Sequence, residues 1–194
     1  MDKKQLREFS EEVKKRFENA EIKAPIHLSG NNEEQLIKIF TDIKRTDWVC
    51  STHRSHYHAL LHGIDKDWLM NEILKGRSIT IMNRKKQFIT SAIVAGILPI
   101  ALGIALGLKR KKSSKHVWAF VGDMASRGGV FHEVVKYASG HQLPLSIIVE
   151  DNNYSTNTPT NIVWGDEKEE SITVIKYSYE RIYPHQGSGR WVEF

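Results

Sequence analysis

The chain has 194 residues, 40% of them hydrophobic, with one cysteine and a formal net charge of +5. That length suits one domain with a single core, and the lone Cys50 excludes an internal disulfide. A positive balance suits anionic cofactors, nucleic acid and acidic lipid equally, so charge does not choose among them. The amino terminus, MDKKQLREFSEEVKKRFENA, has no apolar signal region, so a cytoplasmic location is expected.

Residues 3–19 set Leu6, Phe9, Val13 and Phe17 at helical spacing among charges, which predicts an amphipathic helix whose apolar face docks on the body or on a partner. Pro25 and Ser29-Gly30-Asn31-Asn32 punctuate the chain before a second helix that begins near Glu33 and carries Leu36, Ile37, Ile39 and Phe40. Residues 1–45 therefore read as a helical segment packed on the body, and 46–194 as the main domain. In Trp48–His58, His53, Arg54, His56 and His58 crowd together. A zinc site would need a fourth ligand in a tetrahedral array, and these histidines have no second cluster at ligand spacing. The competing reading is anion recognition, with Arg54 as a fixed fork on phosphate oxygens and the imidazoles donating hydrogen bonds or moving protons. Surface or structural histidines are the bland alternative for His56 and His58.

Asp65–Leu74 reads as a helix and Gly76-Arg77-Ser78 as a turn. Ala92–Leu108 is unbroken apolar sequence, but a membrane span needs about 20 residues, and this run contains Pro99 and glycines. Gly96, Gly103 and Gly107, with Ala92, Ala95 and Ala105, would let another helix approach closely, so a buried helix at a subunit contact is predicted. The basic run Lys109–Lys112 with Lys115 lacks interleaved aromatics and reads as a solvated loop, not a nucleic-acid surface.

Val117–Val121 has the pattern of a parallel strand buried on both faces, stopping at Gly122 with Asp123 at its carboxyl end. Gly128 and Gly129 permit a sharp turn into a helix with Val130, Val134, Val135 and Ala138 at helical spacing, closed by Gly140. Leu145–Val149 is a second buried strand, running into Glu150, Asp151, Asn152 and Asn153. Open α/β sheets bind ligands at such strand ends. A carboxylate, an amide oxygen and a backbone carbonyl suit Mg²⁺, whose remaining positions go to water and substrate phosphates, and a glycine-flanked helix start suits the same phosphates. Residues 160–170 read as a polar, acidic connector, and Ile172–Tyr179 as a strand.

Gly122-Asp123 and Asn152, with His132-Glu133 and Leu143-Pro144 between and Glu150-Asp151-Asn152-Asn153-Tyr154 and Thr158-Pro159 after, resemble the thiamine-diphosphate motif of the alpha subunits of 2-oxo acid dehydrogenases, the acetoin branch included. Ser51–Leu60 followed by Gly63 is similar to that family's early cofactor-contacting segment, and Ala92–Gly96 with Pro99 to its Gly-Ile-Val-Gly segment. Arg181-Ile182-Tyr183-Pro184-His185 resembles its late Arg-Tyr-x-x-His loop.

The resemblance implies a three-layer α/β thiamine-diphosphate-binding fold with a mostly parallel central sheet. It implies Mg²⁺ on Asp123, Asn152 and the Tyr154 carbonyl. Cofactor contacts are implied at His53, at Arg54 on the diphosphate, at Ala92 and Val94 on the aminopyrimidine ring, and at the N–H groups of Gly122, Asp123, Met124 and Ala125. His56, His58 and His185 become the implied acid–base histidines. A beta-type subunit would supply the pyrimidine-binding domain, in an α2β2 assembly acting on a 2-oxo acid or acetoin and, in some family members, passing the product to a lipoyl acyltransferase. The segment 76–88 is compressed where the family has a longer glycine-rich loop, Met124 replaces a customary glycine, and a late helical stretch is missing. Those departures keep open a transketolase-like or carboligase subunit working without lipoamide, and a non-catalytic scaffold subunit.

Overall fold

The computed structural model describes residues 1–164 and 174–193. The chain opens with α1 (Lys3–Glu18) and α2 (Glu33–Ile39), followed by β1 (Trp48–Ser51), α3 (His56–Leu61) and α4 (Lys66–Leu74). An edge hairpin of β2 (Met82–Asn83) and β3 (Phe88–Thr90) leads to α5 (Ile97–Arg110), β4 (Val117–Gly122), α6 (Asp123–Ser126) and α7 (Gly129–Gly140). Then come β5 (Leu145–Asp151), a small hairpin of β6 (Tyr154–Ser155) and β7 (Thr158–Pro159), α8 (Thr160–Trp164) and β8 (Val174–Ser178).

The main sheet runs β2-β3-β1-β4-β5-β8. Among the described strands of this sheet only β2 is antiparallel to its neighbour; the other pairs are parallel. Period-2 alternation splits the strand residues between two cores. Val49, Phe120 and Ile148 join the side chains of α1 to α4 on one face, and Cys50, Ala119, Val121, Ile147 and Val149 join α5 and α7 on the other. Helices on both faces make a three-layer α/β fold with a mostly parallel sheet.

The first helix forms as its pattern predicts. Asp2 and Gln5 cap it reciprocally, and Leu6, Phe9, Val13 and Phe17 are all buried. Each such side chain contributes about 1.5–3 kcal/mol through removal from water, so α1 is part of the core on its side of the sheet. Glu33 locks α1, α2 and α3 together, accepting hydrogen bonds from Arg7 Nε at 3.1 Å, the Asn31 N–H at 3.2 Å and the Tyr57 hydroxyl at 3.4 Å. Cys50 is fully enclosed, and burial pushes its thiol up to about 12, which leaves it unreactive.

Several boundaries differ from expectation. The apolar run does not become helix until Ile97, because residues 92–95 fold back tightly: Ala95 has φ +58°, and a Cβ on Gly96 would lie 2.9 Å from that of Ile93. Pro99 falls in the first helical turn, where a missing N–H costs nothing. Among the described residues no helix is long and apolar enough to cross a membrane. In α7 the buried residues are Phe131, Val134 and Val135, while Val130 is 42% exposed. The helix is rotated one position from the expected stripe because the larger Phe131 takes the core site. The start of the expected connector is instead α8, and the strand expected from Ile172 is seen as β8; residues 165–173 lie outside the described residues.

Candidate functional site

A cavity with about 780 Å³ of free space, counting its mouth to solvent, crosses the carboxyl ends of the parallel strands. Thr52, His53 and Arg54 enter it after β1, and Ser91, Ile93, Val94 and Ala95 after β3. Gly122 closes β4, and Asp123, Met124 and Ala125 follow it; Asn152, Tyr154, Ser155 and Thr156 follow β5; Tyr179, Arg181 and His185 follow β8. Most contributors lie in the segments that follow the carboxyl ends of the main-sheet strands, the place where a doubly wound sheet leaves a crevice.

At one end Asp123, the N-terminal residue of α6, is 4% exposed. Its carboxylate accepts a hydrogen bond from the Thr160 hydroxyl. Desolvation, reinforced by the nearby Asp151 carboxylate, raises its affinity for a proton despite that bond. Asn152 accepts the Tyr154 N–H at 3.0 Å and donates to the Tyr179 hydroxyl at 3.3 Å. Arg54 donates to the same hydroxyl from 3.4 Å, and its buried Nε has no partner among the described residues. Tyr179 thus bridges the cation to the amide.

These groups fit an anionic guest carrying a hard cation. Asp123 is a buried carboxylate, and Asn152 and the Tyr154 main chain lie at the end of the neighbouring strand. The unpaired Arg54 Nε is an anion donor awaiting an acceptor.

The histidines divide. His53 and His185 line the cavity. His27, which nothing in its local sequence distinguishes, packs edge-on against both, with ring centroids 4.4 Å from His53 and 4.9 Å from His185. Burial lowers His27 to about 4 and His53 to about 3, with the neighbouring rings and Arg54 adding to the shift of His53. Burial lowers His185 as well, followed by Arg54 and Arg181. All three are neutral at pH 7.

His56 and His58 do not reach the cavity. His56 lies fully buried, its Nε2 2.9 Å from the Ser78 hydroxyl and its ring edge-on to Phe9, and burial lowers it to about 4. His58 stacks on Phe120 at 4.2 Å, with Nδ1 2.7 Å from the Ser51 hydroxyl and Nε2 3.3 Å from Glu150. The turn from β1 into α3 explains this placement: His53 and Arg54 precede the helix and face the strand ends, whereas His56 and His58 fall within it and point into the core. Neither is positioned to meet a substrate.

Glu150 is 8% exposed and also accepts from Tyr177 and from Asn32 at 3.3 Å. Desolvation works to raise it, but His58 and the Tyr177 hydroxyl outweigh that and hold it below the ordinary carboxylate range. Ala92 is exposed and outside the cavity; Ser91, Ile93 and Ala95 join Val94 there instead. Met124 lines the floor, its sulfur accepting the Trp164 indole N–H at 2.9 Å. Beyond His27, sequence reasoning passed over Thr160, Tyr179 and Arg181 as site residues. The late Arg181–His185 segment signalled the loop, but nothing local signals Thr160.

A late loop carrying Arg181 and His185 is tied down by tertiary bonds. The Gly187 N–H reaches the Ile26 carbonyl at 3.0 Å, Asn31 Nδ2 the Glu180 carbonyl at 3.0 Å, and Arg181 the Thr156 carbonyl at 2.9 Å.

A doubly wound domain with acidic and amide groups at adjacent strand ends and an arginine across the same cavity is of the anionic-cofactor-binding class. The chain belongs to the Dehydrogenase E1 component family, which it matches over residues 1–167. It is 30% identical over 165 residues to the alpha subunit of an acetoin:2,6-dichlorophenolindophenol oxidoreductase of Bacillus subtilis, covering 80% of this chain and 50% of that protein. A like-named subunit of Cupriavidus necator is 29% identical over 163 residues, and a pyruvate dehydrogenase E1 component subunit alpha of Rickettsia typhi 27% over 163, each alignment covering 79% of this chain. The chain spans about half the length of these relatives.

Proposed function

We propose that this chain is the alpha-type part of a thiamine-diphosphate- and Mg²⁺-dependent enzyme that decarboxylates a 2-oxo acid or cleaves acetoin. The observation that carries the reading is one cavity holding Asp123 and Asn152 together with Arg54, whose buried Nε has no acceptor among the described residues. Asp123, Asn152 and the Tyr154 carbonyl would hold Mg²⁺, and Arg54 with the N–H groups of residues 122–125 would hold the diphosphate. Val94, on the cavity wall, would touch the aminopyrimidine ring. The bound cofactor supplies a sink for the electron pair left on carbon when carbon dioxide departs.

The chain's own groups position and manage protons. His53 and His185, both neutral and both on the cavity wall, can accept or donate a proton at an imidazole nitrogen. His58 and Tyr177 would act by holding Glu150, which lines the cavity, in its ionised form. Ile93 and Val94, each 74% exposed at the mouth, and the open face of α5 at Gly103 and Gly107 are apolar or small surfaces suited to a beta-type partner, in an α2β2 assembly. The product would pass to a lipoyl acyltransferase. A buried, unreactive thiol is compatible with a reducing cytoplasm.

Transfer or carboligation without lipoamide is a second reading, favoured by the tight β2–β3 edge hairpin where a longer loop would shield the site. Titration calorimetry tests the main reading: thiamine diphosphate should bind only with Mg²⁺, more tightly with the partner subunit co-expressed, and at least about tenfold more weakly to Arg54→Ala, the loss of one charge-assisted bond. Turnover of a 2-oxo acid by the chain alone would contradict the need for a partner, and equal binding by Arg54→Ala would remove the cofactor reading.

A further inference from the structure

Beside the cavity, three imidazoles from distant parts of the chain meet. His27 and His185 are 158 positions apart and His53 follows β1, yet their ligand nitrogens all lie within 4.8 Å of one another. We infer that His27, His53 and His185 form a site for one divalent transition-metal ion of zinc's class, with its remaining position open to the cavity.

Ring geometry supports this. A zinc–nitrogen bond of about 2.0–2.1 Å in a tetrahedral array puts neighbouring ring centroids roughly 5 Å apart. The observed separations are 4.4, 4.9 and 5.7 Å, which straddle that value, and the rings are inclined by 71°, 72° and 57° so that none stacks flat on another. Small side-chain rotations close the set.

The orientation of His27 is also that of a metal ligand. Its Nδ1–H donates to the His185 carbonyl at 2.5 Å, which leaves Nε2 as the lone-pair nitrogen. Metal-binding histidines commonly have the second ring nitrogen held by a carbonyl or carboxylate in this way. The parallel bridge between His27 and Gly187 and the Gly187 N–H bond to Ile26 hold the two segments in register, so the site is braced by backbone. Each ring is already in the neutral form that coordination requires, because burial disfavours its protonated state.

The donor chemistry separates this site from the oxygen donors at the strand ends. Imidazoles suit zinc, copper or nickel, whereas Asp123, Asn152 and a carbonyl suit Mg²⁺. Arg54 and Arg181 lie close enough to oppose a cation here, so the open position would take an anionic or hydroxide ligand from the cavity side. His53 and His185 line the cavity and His27 does not, which points that position inward. On the function proposed above, an ion would occupy the lone pairs that His53 and His185 need for proton transfer, making the site inhibitory; binding itself does not depend on that reading.

The test uses the full chain without a polyhistidine tag, titrated with zinc by calorimetry and with cobalt by its visible ligand-field absorption, in the absence of thiamine diphosphate. The expected result is one equivalent bound, with affinity reduced at least about 100-fold in His27→Gln and in His53→Gln, beyond what loss of a supporting hydrogen bond costs. The exposed His132→Gln should bind as wild type. Absence of stoichiometric binding, or variants binding as tightly as wild type, overturns the site. Should the variants not fold, histidine acylation mapped by mass spectrometry on the wild-type chain decides: zinc protects His27, His53 and His185 but not His132, and equal modification with and without zinc refutes the inference.

Discussion

Replacing Asp123 by Asn should separate what the residue costs the empty fold from what it does for a ligand. The carboxylate is 4% exposed, has the Thr160 hydroxyl as partner, faces the Asp151 carboxylate nearby, and has a raised proton affinity caused first by desolvation. An incompletely compensated buried polar group costs about 1–3 kcal/mol; with Thr160 already bonded, the low end applies. Asn keeps the shape and can still accept from Thr160. The ligand-free variant should therefore melt about 2–4 °C above wild type, the shift that about 1 kcal/mol produces in a chain of this size.

The sign with pH follows from linkage. A carboxylate whose folded value is raised above its ordinary 3.8 binds its proton more tightly when folded, so its unfavourable contribution grows as pH rises from 3.8 through the folded value. The variant's advantage should be present at pH 7 and vanish in acid. With ligand the order reverses. Mg²⁺ with thiamine diphosphate at 100 times its dissociation constant should stabilise wild type by about 2.7 kcal/mol, roughly 5–11 °C, and leave Asp123→Asn nearly unmoved. Differential scanning calorimetry reads both arms. A variant several degrees less stable without ligand, or one that gains as much as wild type with it, would refute the reasoning.

Glu150→Ala strands His58, Tyr177 and Asn32 in the interior and should cost about 3 kcal/mol or more in urea denaturation. Because Glu150 is held below its ordinary 4.5, its stabilisation is present above that value and lost as pH falls through the folded one, so wild type and variant should converge in acid. Gly187→Val forces a branched side chain into φ +73° with Phe17 3.4 Å from the new Cβ, at a cost of about 1–2 kcal/mol. Thermal melting should show the loss, and limited proteolysis should cut faster near residues 180–190; an unchanged cleavage rate would mean that the loop is not held through Gly187.

Much of the fold was legible because it is written in short-range periodicity. The stripe Leu6, Phe9, Val13, Phe17 is buried as expected, and the apolar runs at Val117 and Leu145 are adjacent parallel strands that are followed directly by Asp123 and Asn152. Arg54 was legible as an anion-binding candidate from its fixed fork of donors, and it lines the cavity. The histidine assignment was less so. A cluster of imidazoles in sequence says that something polar happens there, but which of them face the strand ends and which face the core depends on where α3 starts.

Sequence alone determined the alternation of strands and helices, and with it the placement of polar groups at strand ends, since a parallel strand buried on both faces must be apolar along its length and polar only where it emerges. Tertiary structure alone decided that His27 meets His53 and His185, that Thr160 lies on Asp123, and that Glu150 is paired with His58. Those contacts join segments whose separation along the chain carries no periodic signal; they arise only when crossover connections order the strands and the late loop is pinned back to Ile26.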